Sequence, residues 1–168
     1  MSKKVPSSTK PTTAEQALRF LPVGLEVRAK NCVIVGGGEV ATRKAATLTH
    51  AGARVTVVAP EVTRELAEQI ASGHARWIKG RFHDKHVHGA FLVIAATNDS
   101  SLNTAVVEAA ARRGALVCDA SSAERSELIF GALLRTGTTT VAVFTDGRDP
   151  AEARRTRDRI AAWLDQQR

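Results

Sequence analysis

Short runs of apolar and β-branched residues alternate along the chain with segments in which apolar residues recur at helical spacing. The runs predict strands of a buried sheet. They cover 32–35, 54–59, 75–79, 90–96 and 115–118. The intervening segments predict helices over 39–50, 60–70 and 99–113. Strands and helices that alternate through short connections indicate parallel strands, so the pattern predicts an α/β fold with a doubly wound sheet.

Both ends of the chain depart from this alternation. Residues 1–12 are basic and polar, and 13–20 could form a short helix that ends before Pro22. Beyond Asp119 the order becomes an apolar stretch, a β-branched stretch and a charged helix that begins at Pro150, with Asp149 as its N-cap. The sequence therefore predicts a tail and short helix over 1–25, a sheet domain over 26–120 and an extension over 121–168.

A glycine-rich loop follows the first predicted strand. Gly36, Gly38 and Ala41 fit the pattern G-x-G-x-x-A between a strand and a helix. The first glycine permits a tight turn, the second lets the backbone approach a pyrophosphate, and the small third residue lets the helix pack closely. In this context the loop predicts a dinucleotide site. The alternative is a glycine-rich turn that binds no ligand.

The end of the second strand bears on which dinucleotide binds. An acidic residue there holds the ribose hydroxyls in NAD-binding domains. Glu61 follows Pro60 at this point, slightly late, and it could equally begin the next helix. No basic residue at the strand tip suits a 2′-phosphate, since Arg54 lies on the strand itself. The sequence favours NAD over NADP.

Composition narrows the class of partner. The formal net charge is +7, which favours an anionic partner, whereas the 4% of aromatic residues speaks against binding of single-stranded nucleic acid. No apolar stretch approaches the ~18 residues that span a membrane, and the polar start is no secretory signal. Cys32 and Cys118 lie in separate apolar runs and predict buried thiols. We therefore expect a cytoplasmic protein.

Three blocks of sequence carry a resemblance to a known family. They are 36–44, 51–60 and 91–99, the last followed by Asn103. In this order and spacing they resemble the precorrin-2 dehydrogenase family, the NAD-binding N-terminal part of siroheme synthases. The resemblance implies a Rossmann-like sheet with a small C-terminal dimerisation extension. It also implies NAD-dependent oxidation of precorrin-2 to sirohydrochlorin by a homodimer, in which the segment after the sheet helps to wall the tetrapyrrole site.

The resemblance assigns the cofactor-binding positions in three groups. Around the pyrophosphate it places Gly36, Gly38, Glu39 and Val40. Beside the adenosine ribose it places Pro60 and Glu61. Beneath the cofactor, at the end of the fourth strand, it places Ala96, Thr97 and Asn98. The last two residues, with Asp99, could also serve as a helix cap, and the two roles are compatible.

The catalytic part departs from the family pattern. After its fifth strand the family reads Cys-Asn-x-x-Asp, and the last Asp is credited with acid–base work. Here Asp119 stands in place of the Asn and Ser122 in place of the Asp. These two are the catalytic candidates, and along an extended chain they lie roughly 10 Å apart. Two alternatives remain open: a non-catalytic NAD- or tetrapyrrole-binding module, and a sirohydrochlorin ferrochelatase. The family's chelating members use a further helical C-terminal domain; we expect none after the helix that begins at Pro150, so chelation is less expected than dehydrogenation.

A histidine-rich stretch offers one further candidate site. His83, His86 and His88 with Asp84 are suitable ligand types for zinc or iron. They lie in a predicted surface loop beside Lys85, whose charge opposes a cation. We therefore expect a solvated loop and predict no metal site.

Overall fold

The computed structural model describes residues 18–166, and its centre is a five-stranded parallel sheet. The strands are β1 (Asn31–Val35), β2 (Arg54–Ala59), β3 (Ala75–Lys79), β4 (Leu92–Ala95) and β5 (Leu116–Asp119). Their order is β3-β2-β1-β4-β5, and each neighbouring pair runs parallel. This confirms the predicted Rossmann-like sheet. Its order reverses between β1 and β4, where such sheets bind ligands beyond their carboxyl ends.

Helices cover both faces of the sheet. They are α1 (Glu39–His50), α2 (Arg64–Ala71) and α3 (Ser100–Ala111). Ala41, Leu48 and Leu66 from α1 and α2 pack in one core cluster with strand residues that include Ile34. Val106 from α3 lies in the second cluster, on the other face. Central strands buried on both sides explain why the strand sequences are nearly continuous apolar runs.

The start of α2 was predicted wrongly. The helix begins at Arg64 rather than at residue 60, and Thr63 caps it by accepting a hydrogen bond from the Leu66 amide. The Thr63 amide itself donates to the carbonyl oxygen of Gly37 at 2.9 Å. Residues 60–63 therefore form a connection that packs against the glycine loop, and this contact takes precedence over an earlier helix start.

The extension after the sheet forms a hairpin and a helix. Strands β6 (Ala132–Thr136) and β7 (Thr139–Val143) pair antiparallel in a separate sheet, and α4 (Pro150–Asp165) packs against both. The carboxylate of Asp149 accepts hydrogen bonds from two amides of the first turn, which confirms the predicted N-cap. Because α4 and the hairpin pack against each other, they form a small packing unit of their own after the parallel sheet.

The helix predicted over 13–20 lies largely outside the described residues. Its last three positions, 18–20, are described and are not helical. Within residues 18–166, no helix is both long and apolar enough to cross a membrane. Cys32 and Cys118 are free and buried.

Candidate cofactor and substrate site

The glycine loop begins with a close approach between two strand ends. Gly36 has a φ of +124°, and a Cβ atom there would overlap the carbonyl oxygen of Ala96 at the end of β4. Only glycine satisfies both constraints without strain. Gly36 therefore brings the ends of β1 and β4 together at the point where the strand order reverses.

Gly37, to which the sequence motif assigns no role, is equally constrained. Its Cβ would overlap the carbonyl oxygen of Glu61 and lie 3.0 Å from the Cβ of Ala59. The middle glycine thus holds the connection after β2 against the loop. The available signal was a glycine at position 37 itself, because this variable position of the motif does not require one.

Gly38 provides the open part of the loop. A Cβ there would meet no atom within 4 Å, and the residue is the N-cap of α1 without a side-chain cap bond. The first amides of α1 are therefore available to an anion, and the helix dipole favours negative charge there. Glu39 and Val40 lie exposed in the first turn beside it. This open, uncapped helix start fits the pyrophosphate of a dinucleotide.

The predicted ribose contacts lie next to this loop. Pro60 and Glu61 are exposed directly after β2, and the backbone of Glu61 packs against Gly37. The structure thus brings the first two groups of predicted cofactor residues together at one edge of the sheet.

The third group is held by a buried side chain that the predicted site omitted. Asn103 of α3 is 1% exposed. Its Oδ1 accepts from the amide of Thr97 at 3.1 Å and from the Thr97 hydroxyl at 2.7 Å, and its Nδ2 donates to the Thr97 carbonyl at 3.1 Å. These bonds fix the turn after β4, so that Ala96 and Thr97 are half-buried and Asn98 is exposed. Asn103 was visible only as part of the resemblance.

Asp119, a catalytic candidate, is the centre of a hydrogen-bond network at the end of β5. Its side chain is fully buried. Oδ1 accepts from the Ser121 amide at 2.8 Å and the Ser121 hydroxyl at 2.6 Å. Oδ2 accepts from Nε of Arg125 at 2.7 Å. Both carboxylate oxygens are therefore engaged by donors.

The electrostatics of Asp119 oppose a role as a base. Burial raises the pKa of this carboxyl, but the bonds from Ser121 and the Arg125 guanidinium outweigh burial, so its pKa lies below its usual value. A carboxylate stabilised in this way is a weak proton acceptor. The geometry favours an anchoring function for Asp119.

The second candidate, Ser122, lies closer to Asp119 than an extended chain allows. The Ser122 amide donates to the Asp119 carbonyl at 3.2 Å, so 119–122 form a turn and the expected separation of roughly 10 Å was wrong. The Ser122 side chain makes no hydrogen bond to any residue that the structure describes. Without an activating base, its hydroxyl is a weak acid–base group near neutral pH.

Two further groups lie near the end of β5. Burial lowers the pKa of Lys44, whose ammonium is 3.8 Å from the centre of the Phe130 ring. That contact connects α1 to the segment that leads into the hairpin. Burial also raises the pKa of Cys118 to about 11, so this thiol is protonated at neutral pH and is no nucleophile.

The loop at 144–148 contacts the start of the described chain. Asp146 has a φ of +55°, and its carboxylate accepts from the amides of Arg19 and Phe20 at 3.0–3.2 Å. A Cβ on Gly147 would lie 2.6 Å from that of Ala123. Asp146 and Gly147 therefore connect this loop tightly to the segments at 19–20 and at Ala123.

The histidine stretch forms a 3-10 helix over Asp84–Val87. Nδ1 of His86 accepts from the amide of His83, which takes one possible ligand atom out of use. Burial, His83 and Lys85 together lower the pKa of His86. Between residues 18 and 166 no group of three or more His, Cys, Asp or Glu side chains is placed to hold a metal ion.

Comparison with known families gives one match. A family model described as "Putative NAD(P)-binding" matches residues 23–132, which include all five parallel strands and the glycine loop.

Relatives by sequence carry the name siroheme synthase. The chain is 38% identical over 145 residues to the siroheme synthase of Photorhabdus laumondii, covering 86% of this chain and 31% of that protein. It is 41% identical over 147 residues to that of Chromobacterium violaceum, covering 88% and 31%. The chain thus spans about a third of the length of the relatives it matches.

A solved structure extends the likeness to the fold. The chain described as SirC, precorrin-2 dehydrogenase, superposes with a TM-score of 0.75 at 29% identity. The match covers 85% of this chain and 70% of that one, which is more than the parallel sheet and its helices alone.

Proposed function

The chain belongs to the NAD(P)-binding family whose model matches residues 23–132, and from this premise we propose that it is an NAD-dependent precorrin-2 dehydrogenase. The proposed reaction oxidises precorrin-2 to sirohydrochlorin in siroheme biosynthesis. The observation that carries the proposal is the open, uncapped start of α1 at Gly38, set between the ends of β1 and β4. The likeness to siroheme synthases and to SirC supports the choice of substrate.

The reaction removes a hydride and a proton from the tetrapyrrole. Bound NAD supplies the hydride acceptor, and the protein supplies orientation and electrostatics. The backbone at Gly38 and the first α1 amides, at Glu39 and Val40, would hold the pyrophosphate. Glu61 beside Pro60 would accept hydrogen bonds from the ribose hydroxyls. The turn at Ala96–Asn98, fixed by Asn103, supports the part of the cofactor that faces the substrate.

Neither of the two catalytic candidates is a strong acceptor for the proton. Asp119 is already neutralised by Arg125, and Ser122 has no activating partner. A positioned general base typically contributes a factor of about 10² to 10⁴ in rate. We therefore expect a slow enzyme whose proton leaves to water.

Variants at Ser122 test this point. We expect Ser122→Ala to change kcat by less than about threefold, because the hydroxyl has no activating partner. We expect Ser122→Asp to raise kcat at least tenfold, since a carboxylate at this turn can accept the proton. A large loss in Ser122→Ala would instead make the Ser122 hydroxyl catalytic.

The second candidate function is a module that binds NAD or a tetrapyrrole without turnover. The lack of a strong proton acceptor favours this function, because the Asp119 carboxylate is paired with Arg125 and the Ser122 hydroxyl has no activating base. It predicts binding of NAD without product, and a gain of activity in Ser122→Asp from an undetectable level. Ferrochelation of sirohydrochlorin finds no metal-binding cluster to support it in residues 18–166.

We also propose that the active form is a cytoplasmic homodimer. The division behind this proposal is 1–25 as tail and short helix, 26–120 as NAD-binding domain and 121–168 as dimerisation and substrate segment. In support, Leu21 and Val23 are 78% and 66% exposed on the border of a cleft of about 330 Å³. Ile129 and Phe144 also line this cleft. A second copy of this chain that covers the cleft removes this apolar surface from water.

The mass of the protein in solution tests the homodimer. We expect a mass of two chains by light scattering, and one chain for Leu21→Asp/Val23→Asp, which places charge in the apolar contact. The matched control is Glu26→Gln, an exposed residue of the same segment outside the cleft lining. A single chain for the unchanged protein at 50 µM or more contradicts the proposal.

Turnover of precorrin-2 tests the function. With NAD under anaerobic conditions, the absorbance of sirohydrochlorin should develop faster than in the absence of protein, and without NAD it should not. Absence of turnover in a protein shown to bind NAD supports the non-catalytic module instead.

A further inference from the structure

We propose that Arg125 binds a carboxylate of the tetrapyrrole substrate, and that Asp119 is the positioning residue that presents its guanidinium. The inference rests on the proposed function and deepens it, since it names the residue that recognises the acidic side chains of the substrate. From the sequence, Asp119 is a catalytic candidate and Arg125 has no role in the site.

The first observation is the fixed geometry of the ion pair. Nε of Arg125 donates to Oδ2 of Asp119 at 2.7 Å. The Asp119 side chain is fully buried, whereas 34% of the Arg125 side chain is exposed. The pair therefore lies at the surface with its anion inside and its cation outside.

The second observation is which nitrogens of the guanidinium are free. Nη2 is 3.4 Å from the hydroxyls of Ser100 and Ser121, the outer limit for hydrogen bonds. Nη1 makes no hydrogen bond or ion pair with any residue in the described range 18–166. Asp119 thus engages the guanidinium through Nε. Nη1 is left for a ligand, and Nη2 is held only by two long contacts that a ligand can replace.

The third observation is the place of the guanidinium in the fold. Ser100 is the first residue of α3, and Ser121 accepts from Nδ2 of Asn103 at 3.3 Å. Asn103 fixes Thr97, which the proposed cofactor site includes. Arg125 therefore lies beyond the carboxyl ends of β4 and β5, on the side of the sheet where the proposed cofactor meets its substrate.

The chemistry of the free end matches a carboxylate. Two terminal nitrogens of one planar guanidinium form a pair of parallel hydrogen bonds with two carboxylate oxygens. A fixed guanidinium loses little side-chain freedom on binding, which favours recognition of a particular acidic group over general attraction. An anionic tetrapyrrole presents several such groups on its rim.

The test compares KM and kcat for precorrin-2, and Kd for NAD, between three variants and the purified protein of unchanged sequence. We expect Arg125→Gln to raise KM for precorrin-2 at least tenfold, to change kcat less than threefold and to leave the Kd for NAD unchanged. Arg125→Lys should recover only part of the loss, because an ammonium keeps the charge but lacks the second hydrogen-bond donor group. Asp119→Asn should raise KM through a less fixed Arg125.

The matched control is Arg112→Gln. Arg112 pairs with Asp84 at 3.0 Å at the other end of α3, so the variant removes an arginine from an exposed ion pair away from the site. It should leave KM and kcat within twofold of their original values. Circular dichroism and thermal unfolding establish that each variant folds.

Two results overturn the inference while the proposed function stands. One is an unchanged KM in folded Arg125→Gln with normal turnover. The other is a loss of kcat in Asp119→Asn at unchanged KM, with loss of the acidic limb of the pH profile, because that result makes Asp119 the base. Failure of the unchanged protein to turn over precorrin-2 is the distinct result that overturns the proposed function and, with it, this inference.

Discussion

The two halves of the proposed site are built in different ways. At the cofactor half, backbone packs on backbone, with Gly36 against Ala96 and Gly37 against Glu61. At the substrate half, the end of β5 is held by side chains that converge on Asp119 and Arg125. A site of the first kind constrains residue identity wherever two backbones touch, as at Gly36 and Gly37, whereas a site of the second kind can be rebuilt with other side chains. This difference explains why the glycine block matches the family closely and the segment after Cys118 does not.

The largest expected effect lies within the glycine loop. Gly37→Ala places a Cβ in the Glu61 carbonyl, and overpacking of this kind costs typically about 1–3 kcal/mol, with a distorted loop in addition. We expect a destabilisation of about 2–3 kcal/mol in urea unfolding and loss of measurable NAD binding by calorimetry.

Gly38→Ala is the matched control for the fold. Its Cβ enters open space at a φ of −80°, so the free energy of unfolding should change by less than about 0.5 kcal/mol. NAD affinity should still fall at least tenfold, because the methyl group occupies the proposed path of the pyrophosphate. If both variants lose the same free energy of unfolding, Gly37 is not the packing residue and Gly38 the cofactor-binding residue that we distinguish.

The next effect lies at the end of β5. Asp119→Ala leaves Arg125 without its partner and frees the Ser121 donors, which should lower the free energy of unfolding by about 2–3 kcal/mol near pH 7. Chemical unfolding measured across pH checks the value.

The pH dependence of this loss has a defined sign. Because the pKa of Asp119 is depressed in the folded state, its contribution is present above the unfolded pKa of about 4 and disappears as pH falls through the lower folded pKa. The stability difference between the unchanged protein and Asp119→Ala should therefore shrink below about pH 4. A difference that grows on acidification contradicts the assignment.

Asn103 connects the two halves, and its removal should have an intermediate effect. Asn103→Ala leaves the Thr97 amide without its acceptor and the Thr97 hydroxyl with only its 3.1 Å bond to the Asp99 carbonyl, which should cost about 1–2 kcal/mol of stability. NAD affinity and KM for precorrin-2 should both worsen, since the side chain also reaches Ser121. Thr104→Ala, which removes one bond within α3, is the comparison variant and should change neither constant by more than twofold.

The smallest effect is expected at the ribose. Glu61→Gln removes an exposed charge, and we expect NAD affinity to fall about threefold to tenfold while affinity for NADP stays the same or improves. Glu65→Gln makes the same change in charge on an exposed residue of α2 and should leave both affinities unchanged. If Glu61→Gln lowers the affinities for NAD and NADP equally, this carboxylate does not bind the ribose hydroxyls that distinguish the two cofactors.

The sequence predicts the sheet well because apolar periodicity and helix-capping residues depend on interactions between residues close in the chain. Buried strands read as apolar runs, and Asp149-Pro150 marks the start of α4 through local capping. The start of α2 was missed because it depends on a contact with Gly37, some 26 positions earlier. The turn at 119–122 was missed for a related reason: it is closed by Arg125 and Ser126, whose side chains fold back onto Asp119.

The residues of the candidate site also divide into those with a local sequence signal and those that depend on contacts between distant residues. Gly36, Gly38 and Thr97 could be placed from the motif and the resemblance, and the structure brings them to one edge of the sheet. Arg125 could not be placed, because a basic residue in a loop gives no signal until its carboxylate partner is known to be buried.

The central claim is that this chain couples oxidation of precorrin-2 to NAD, and the yield of NADH per sirohydrochlorin tests it most directly. With limiting precorrin-2, excess NAD and no oxygen, both products are followed by absorbance in one reaction. The account predicts one NADH for each sirohydrochlorin formed, and neither product when NAD is omitted. Sirohydrochlorin that forms without NADH, or a protein that binds NAD and forms neither product, would contradict it.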